Sequence, residues 1–247
     1  MSIESSDDLA GMRRAGHVTR LTLDALERRV RAGVTTAELD AVAAAIFEAH
    51  GARSAPAMVY NFPGHVLISV NDEIVHGIPG ARILRRGDLV KLDVTVEKDG
   101  YYADAARTVI VGSAGETARR LAACVRAAFH AGARVARAGT PVKEIGRAVQ
   151  AAVEREGFAV VRGLCGHGVG RTIHEEPSVP NTYDRWQTDV LTEGLVITIE
   201  PMIAAGSSRP VEDADGWTIR TADGSLSAHH EHTLVITRGK PLIVTAA

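Results

Sequence analysis

The segment DLVKLDVTVEKDGYYADAARTVIVG, residues 88–112, carries apolar and β-branched residues on either side of Lys98-Asp99-Gly100, and so predicts two strands joined by a tight turn. Two acids, Asp93 and Asp104, stand inside these strands. A four-residue loop over Glu97–Gly100 would set them directly opposite each other, whereas a two-residue Asp99-Gly100 loop would make them diagonal. Side-chain parity keeps both on one face in either case. Carboxylates facing each other across a ladder repel unless a cation or a proton lies between them. The alternative is that this face is solvent and both acids are merely hydrated. A chain with this hairpin must therefore expose that face or build a cation site on it.

Further acids and histidines occupy similar settings. Gly166-His167-Gly168-Val169-Gly170-Arg171 follows the strand-like AVVRGL, and glycines on both sides of His167 let backbone approach closely while the imidazole is aimed. His174 opens His174-Glu175-Glu176-Pro177 seven residues later. Glu200 ends the β-branched run Leu195-Val196-Ile197-Thr198-Ile199, where an acid is out of place in a core unless paired or ligated. Glu231 lies in Ala228-His229-His230-Glu231-His232-Thr233, leading into the strand LVIT. A surface strand end for Glu200, and an ion pair with a neighbouring histidine for Glu231, are the simpler alternatives. Taken together, Asp93, Asp104, His167, Glu200 and Glu231 offer four carboxylates and one imidazole, a set suited to hard or borderline divalent ions and too acidic for structural zinc. Four converging negative charges call for roughly two divalent cations, a familiar hydrolytic arrangement. Spacing and charge alone thus suggest a dinuclear metallohydrolase.

The rest of the chain supplies the frame. Residues 5–50 predict two helices, the second capped by Thr35 or Thr36 with Glu38 early in it. After the hairpin come helices over Glu116–Ala138, closed by Gly139, and Pro141–Glu156, with Thr140 as cap. AVVRGL, LVITI, WTIRT and HTLVIT then return to strand character. The order helices, strands, helices, strands indicates an α+β class with helices on one side of a mostly antiparallel sheet. At 247 residues the length falls between one domain and two. The longest apolar run, seven residues over Ala41–Phe47, is far short of a membrane span, and the acidic start MSIESSDDLAGMRR has no secretory h-region. Two cysteines, Cys124 and Cys165, make no disulfide framework and point to a reducing cytoplasm. A net charge of −2 gives no argument for a nucleic-acid partner.

The blocks SVNDEIVHGIP (69–79), GDLVKLDVTVEKDGYYAD (87–104), CGHGVGRTIHEEP (165–177), GLVITIEPM (194–202) and SLSAHHEHTLVIT (225–237) resemble, in order, those of type I methionine aminopeptidases. These belong to the pita-bread metallopeptidases, peptidase family M24, together with prolidase, aminopeptidase P and creatinase. The resemblance implies a pseudo-twofold antiparallel sheet covered by two pairs of helices, with a dinuclear site at its centre. It implies a single catalytic domain, 1–247, of halves about 1–112 and 113–247. Asp93 would chelate one metal, Asp104 and Glu231 would bridge, and His167 and Glu200 would complete the other shell. The ions would be cobalt, manganese, iron or zinc. A water bridging them would attack the scissile carbonyl, with Glu200 moving its proton. His174 would stabilise the oxyanion and His76 would assist at the amide nitrogen. On the sequence alone His76 would pass for a turn histidine.

The methionine pocket would draw on Tyr60, Phe62 and Trp217. Ile173 and Leu67 depart from the family's usual residues there, as do Ala105 after Asp104 and the segment Asn61-Phe62-Pro63-Gly64-His65. The resemblance is to the minimal bacterial form, acting on N-termini of nascent polypeptides with a small second residue, with transient ribosome contact, no membrane association and a monomeric state. Two rivals are an Xaa-Pro peptidase of the same fold and a non-catalytic pita-bread binding module. Ligand loss would mark the latter, and all five ligands are present.

Overall fold

The structure, a computed structural model, describes residues 1–246. Among the described residues, five helices, a nine-stranded sheet and two three-stranded sheets build it. Helix α1 (Ser6–Arg29) starts at a capping box in which Ser5 and Asp8 satisfy each other's backbone amides, and α2 (Thr36–Ala49) starts at the same device made by Thr35 and Glu38. A short α3 (Ala55–Tyr60) follows, capped by Ser54 with Pro56 in its first turn. Helices α4 (Glu116–Val135) and α5 (Lys143–Arg155) complete the set.

The main sheet has nine strands, all antiparallel. Its path runs Arg53–Ser54, Leu89–Lys98, Tyr101–Ile110, Glu231–Val235, Val196–Ile199, Cys165–Gly168, Glu175–Pro180, with Leu67–Val70 beside Leu89–Lys98 and Leu242–Ile243 beside Glu231–Val235. One face is covered by the helices. Val18, Leu23, Leu26, Leu39 and Phe47 pack on Leu92, Val94 and Val96 of the hairpin. Leu121, Val125, Phe129, Ile145 and Val149 pack on Ile197, Ile199 and Leu234 of the later strands. Each such side chain contributes about 2 kcal/mol by burial, so the two helix pairs clamp the two halves of the sheet. The architecture is the pita-bread fold.

The hairpin closes through Lys98↔Tyr101, and its two loop residues Asp99 and Gly100 both have positive φ, 52° and 79°. That is the primed turn which Asp-Gly favours. Thr95 therefore faces Asp104, Asp93 faces Ala106, and the two acids are diagonal. Ala106 in turn faces Glu231, so Asp93, Ala106 and Glu231 form one row across three strands.

Two helix boundaries differ from expectation. Helix α4 stops at Val135 instead of Ala138, because the amides of Ala138 and Gly139 bond to Thr237 and Leu191 carbonyls, each within 2.9 Å. Helix α5 starts at Lys143, not Pro141, and no side chain caps it. The Thr140 carbonyl accepts from the Leu191 amide, the Val142 amide donates to the Asp189 carbonyl, and Pro141 bridges Val190, so this segment pairs with 189–191 before the chain turns into the helix at Val142. Thr140 is thus a sheet-like residue and not a cap.

Candidate metal centre

Each half of the sheet delivers acids to the face away from the helices. Asp93 and Asp104 come from the hairpin. Glu200 comes one residue past the Val196–Ile199 strand, and Glu231 begins the strand beside it, in the register His232↔Ile199. The chain leaves the main sheet at Pro201 and joins it at His230, where the His230 amide meets the Pro201 carbonyl at 3.3 Å. His167 lies on Cys165–Gly168, and its glycines are obligatory. A Cβ on Gly166 would lie 2.6 Å from the Thr198 carbonyl oxygen, and one on Gly168 would lie 2.2 Å from that of Glu176.

One hydroxyl orients two of these residues. Thr198 Oγ1 accepts from the His167 amide at 3.0 Å and donates to Glu200 Oε1 at 2.9 Å. His167 Nδ1–H donates to the Gly168 carbonyl at 2.8 Å, which leaves Nε2 free to ligate, 3.4 Å from Glu200 Oε1. Donor atoms of Asp104, His167 and Glu231 lie within 4.8 Å of one another, and so do those of Asp93, His229 and Glu231. All five sequence-derived ligand candidates therefore converge.

The electrostatics ask for cations. Asp104 Oδ1 and Glu231 Oε1 are buried without any hydrogen-bond partner. Burial, reinforced by the neighbouring acids, pushes Asp93, Glu200 and Glu231 well above the ordinary carboxylate range. Burial raises Asp104 to about 6, against the opposing hydrogen bonds of Thr95, Asp93 and the Ala105 amide. Burial lowers His167 to about 4, keeping the imidazole in its neutral, ligating form. Orphaned oxygens, crowded acids and a neutral imidazole with a free nitrogen fit divalent ions at this place.

A pH dependence follows. A carboxyl whose folded pKa exceeds its unfolded value holds its proton more tightly in the folded state, so ionising it costs stability. For Asp104 that cost is absent below 3.8, grows up to about 6, and persists above. The other three acids extend it upward in pH. Melting temperatures of chelator-stripped protein, with and without added Mn(II) or Co(II), should therefore diverge progressively from pH 4 to pH 7. A gap independent of pH would contradict the charge crowding described.

Beside the acids lies a cavity of about 420 Å³. Tyr60, Phe62, Leu67, Ile173 and Trp217 form its apolar wall, and His76, His174 and the acids form the rest. Helix α3 places the first two. Tyr60 ends it, Asn61 turns left-handed at φ 57°, and Phe62 swings inward against Trp217, ring centroids 5.2 Å apart. Tyr60 stands half-exposed at the rim, its hydroxyl 2.6 Å from His174 Nδ1. The His174 ring packs on His167 at 4.3 Å between centroids. His76 holds a positive φ of 61°, a conformation uncommon outside glycine, and faces the acids from the cavity's other side. Burial lowers the pKa of both His76 and His174. A polar groove lined by Cys165, Glu176, Ser178 and Met202 opens on the opposite side of the same acids.

Two residues and one helix escaped the sequence reading. Thr198 orients His167 and Glu200, and α3 as a whole was unforeseen. His229 sits two residues before Glu231, so strand alternation alone would have put it on the same face. Burial, then His76 and Lys91, push its pKa down to about 3.

A pita-bread sheet that gathers four acids and a histidine beside an apolar chamber defines a metallopeptidase. The pattern of metallopeptidase family M24 matches residues 10–238, and the chain belongs to that family. It is 39% identical over 247 residues to methionine aminopeptidase 2 of Bacillus subtilis (strain 168), covering 99% of both chains. It is 42% identical over 241 residues to methionine aminopeptidase of Escherichia coli (strain K12), covering 96% of this chain and 90% of the relative. The crystal structure of methionine aminopeptidase from Rickettsia prowazekii superposes with a TM-score of 0.95 at 38% identity, covering 99% of this chain and 100% of the other. The expected fold and family are thereby borne out.

Proposed function

We propose that the chain is a metal-dependent aminopeptidase that removes the N-terminal methionine from nascent polypeptides with a small second residue. The observation that carries this is the chamber of Tyr60, Phe62, Leu67, Ile173 and Trp217 opening directly onto the acids. A linear thioether suits such a wall.

Asp93 would hold one divalent ion, Asp104 and Glu231 would bridge, and His167 and Glu200 would hold the second. When bound, these ions would polarise the scissile carbonyl and acidify a water towards neutrality. Glu200, fixed by Thr198, takes the proton from the attacking water. The Tyr60 hydroxyl, donating to His174 Nδ1, selects the tautomer with hydrogen on Nε2, which then donates to the carbonyl oxygen as charge develops. His76 serves the leaving amide nitrogen. The substrate's free amine lies towards Asp93, which restricts the cut to the chain end.

We take residues 1–247 as one catalytic domain of two pseudo-symmetric halves, about 1–112 and 113–247. Ligand candidates from both halves meeting in one place support this, and their all coming from one chain supports a monomer. Among the described residues no helix is long and apolar enough to cross a membrane. Two free cysteines support a cytoplasmic setting, and a nascent N-terminus as substrate would bring transient ribosome contact. Chelator-stripped protein titrated with Co(II), Mn(II), Fe(II) or Zn(II) should regain cleavage of Met-Ala-Ser. No cleavage with any of these metals would favour the non-catalytic module, and preference for Xaa-Pro peptides would favour the proline-specific rival. Either result overturns the proposal.

A further inference from the structure

We propose that His229 supplies a further nitrogen ligand to the metal ion held by Asp93, making a six-residue centre; this rests on the metal-dependent function proposed above. His229 ends the Ser227–His229 strand, paired with Met202, and is 1% exposed. Its backbone is pinned from both sides by Thr108, whose Oγ1 accepts from the His229 amide at 2.9 Å and donates to its carbonyl at 2.8 Å. The ring is therefore held and aimed, yet neither ring nitrogen has a hydrogen-bond partner. Two neighbouring histidines behave differently. His167 uses Nδ1 on the Gly168 carbonyl, and His232 uses Nδ1 on the Thr245 hydroxyl.

An imidazole buried without partners demands an explanation. Nε2 lies 3.7 Å from Glu231 Oε2 and 3.8 Å from Glu200 Oε2. These separations are too long for hydrogen bonds. They suit two atoms ligating one ion at about 2.0–2.2 Å each, which lie roughly 3.0–4.2 Å apart depending on the angle. A ring nitrogen of His229 also falls within 4.8 Å of oxygens of both Asp93 and Glu231. His167 groups with Asp104 and Glu231, whereas His229 groups with Asp93 and Glu231. His229 thus gives the Asp93 side the nitrogen that His167 gives the other.

Protein carrying ring-¹⁵N histidine and loaded with two equivalents of Co(II) should show two contact-shifted imidazole N–H resonances, one from His167 and one from His229. In H229Q one should vanish. Isothermal titration of stripped H229Q with Mn(II) or Co(II) should show one of two binding events weakened by at least roughly tenfold and the other unchanged. A single shifted resonance in the wild type overturns the proposal while leaving the five-residue centre intact, and needs no variant to fold. Unchanged affinities in folded H229Q also overturn it. No shifted resonance at all would overturn the metal centre itself, and this ligand with it.

Discussion

Replacing Asp104 by alanine should abolish metal-dependent cleavage of Met-Ala-Ser and lower metal occupancy after dialysis. The loss in kcat/KM should exceed about 100-fold, the upper end of what outer-shell partners of a metal cost. Asp104 occupies the crowded middle of the site. It is diagonal to Asp93 across the hairpin, groups with His167 and Glu231, and acts on the charge state of Glu200 and Glu231. On the proposed assignment its removal would subtract a shared ligand. It also removes one of four acids that repel in the stripped state, so D104A should melt higher than wild type once both are stripped. Elemental analysis, peptide kinetics and thermal melts together distinguish ligand loss from misfolding. Near-normal turnover would count decisively against the assignment.

The second large effect is expected at His174. H174A should reduce kcat by about 10²–10³, the usual cost of removing a donor to a developing oxyanion, with metal content unchanged and KM little affected. The residue has the geometry for this. It lines the chamber next to the acids, packs on His167, and has Nδ1 engaged by Tyr60. Y60F keeps the imidazole and removes only the group that selects its tautomer, so its loss should be distinctly smaller. Steady-state kinetics with metal analysis of both variants provide the check. Equal losses in the two, or a fall in metal content in H174A, would move His174 out of the donor role.

Much of the centre was legible because acids in β-branched strands are conspicuous. Asp93, Asp104 and Glu200 each break an apolar pattern that a core would otherwise want, Glu231 stands out in a histidine cluster at a strand start, and period-2 alternation places the hairpin pair on one face. The turn was legible only as a choice. Asp99-Gly100 and Glu97–Gly100 loops were both open, and the positive φ of Asp99 and Gly100 decides between them. The start of α5 was misplaced because Thr140-Pro141 carries a strong local helix signal. Pairing with residues 189–191, which sequence proximity cannot reveal, overrides it. Helix α3 is only six residues long, too short for any periodicity, and its position matters because it fixes Tyr60 and Phe62. Thr198 looked like one more β-branched strand residue, and its role depends on joining Glu200, two residues on, to His167 from a separate strand.

Ala106 carries no chemistry, yet it stands between Asp93 and Glu231 in the transverse row. Neighbouring strands are about 4.8 Å apart, so those two acids spring from backbones about twice that distance apart. Their carboxylates nonetheless come within 4.8 Å by leaning inward above a single methyl group. The sheet acts here as a ruler. The span available to the ions is set by the hydrogen-bonded lattice of three strands, which hardly stretches, while the hinged carboxylates above it can close on a small ion or relax around a larger one. A centre built this way is rigid in its footing and tolerant in its grip, and the vacancy that permits both is written into the chain as an alanine.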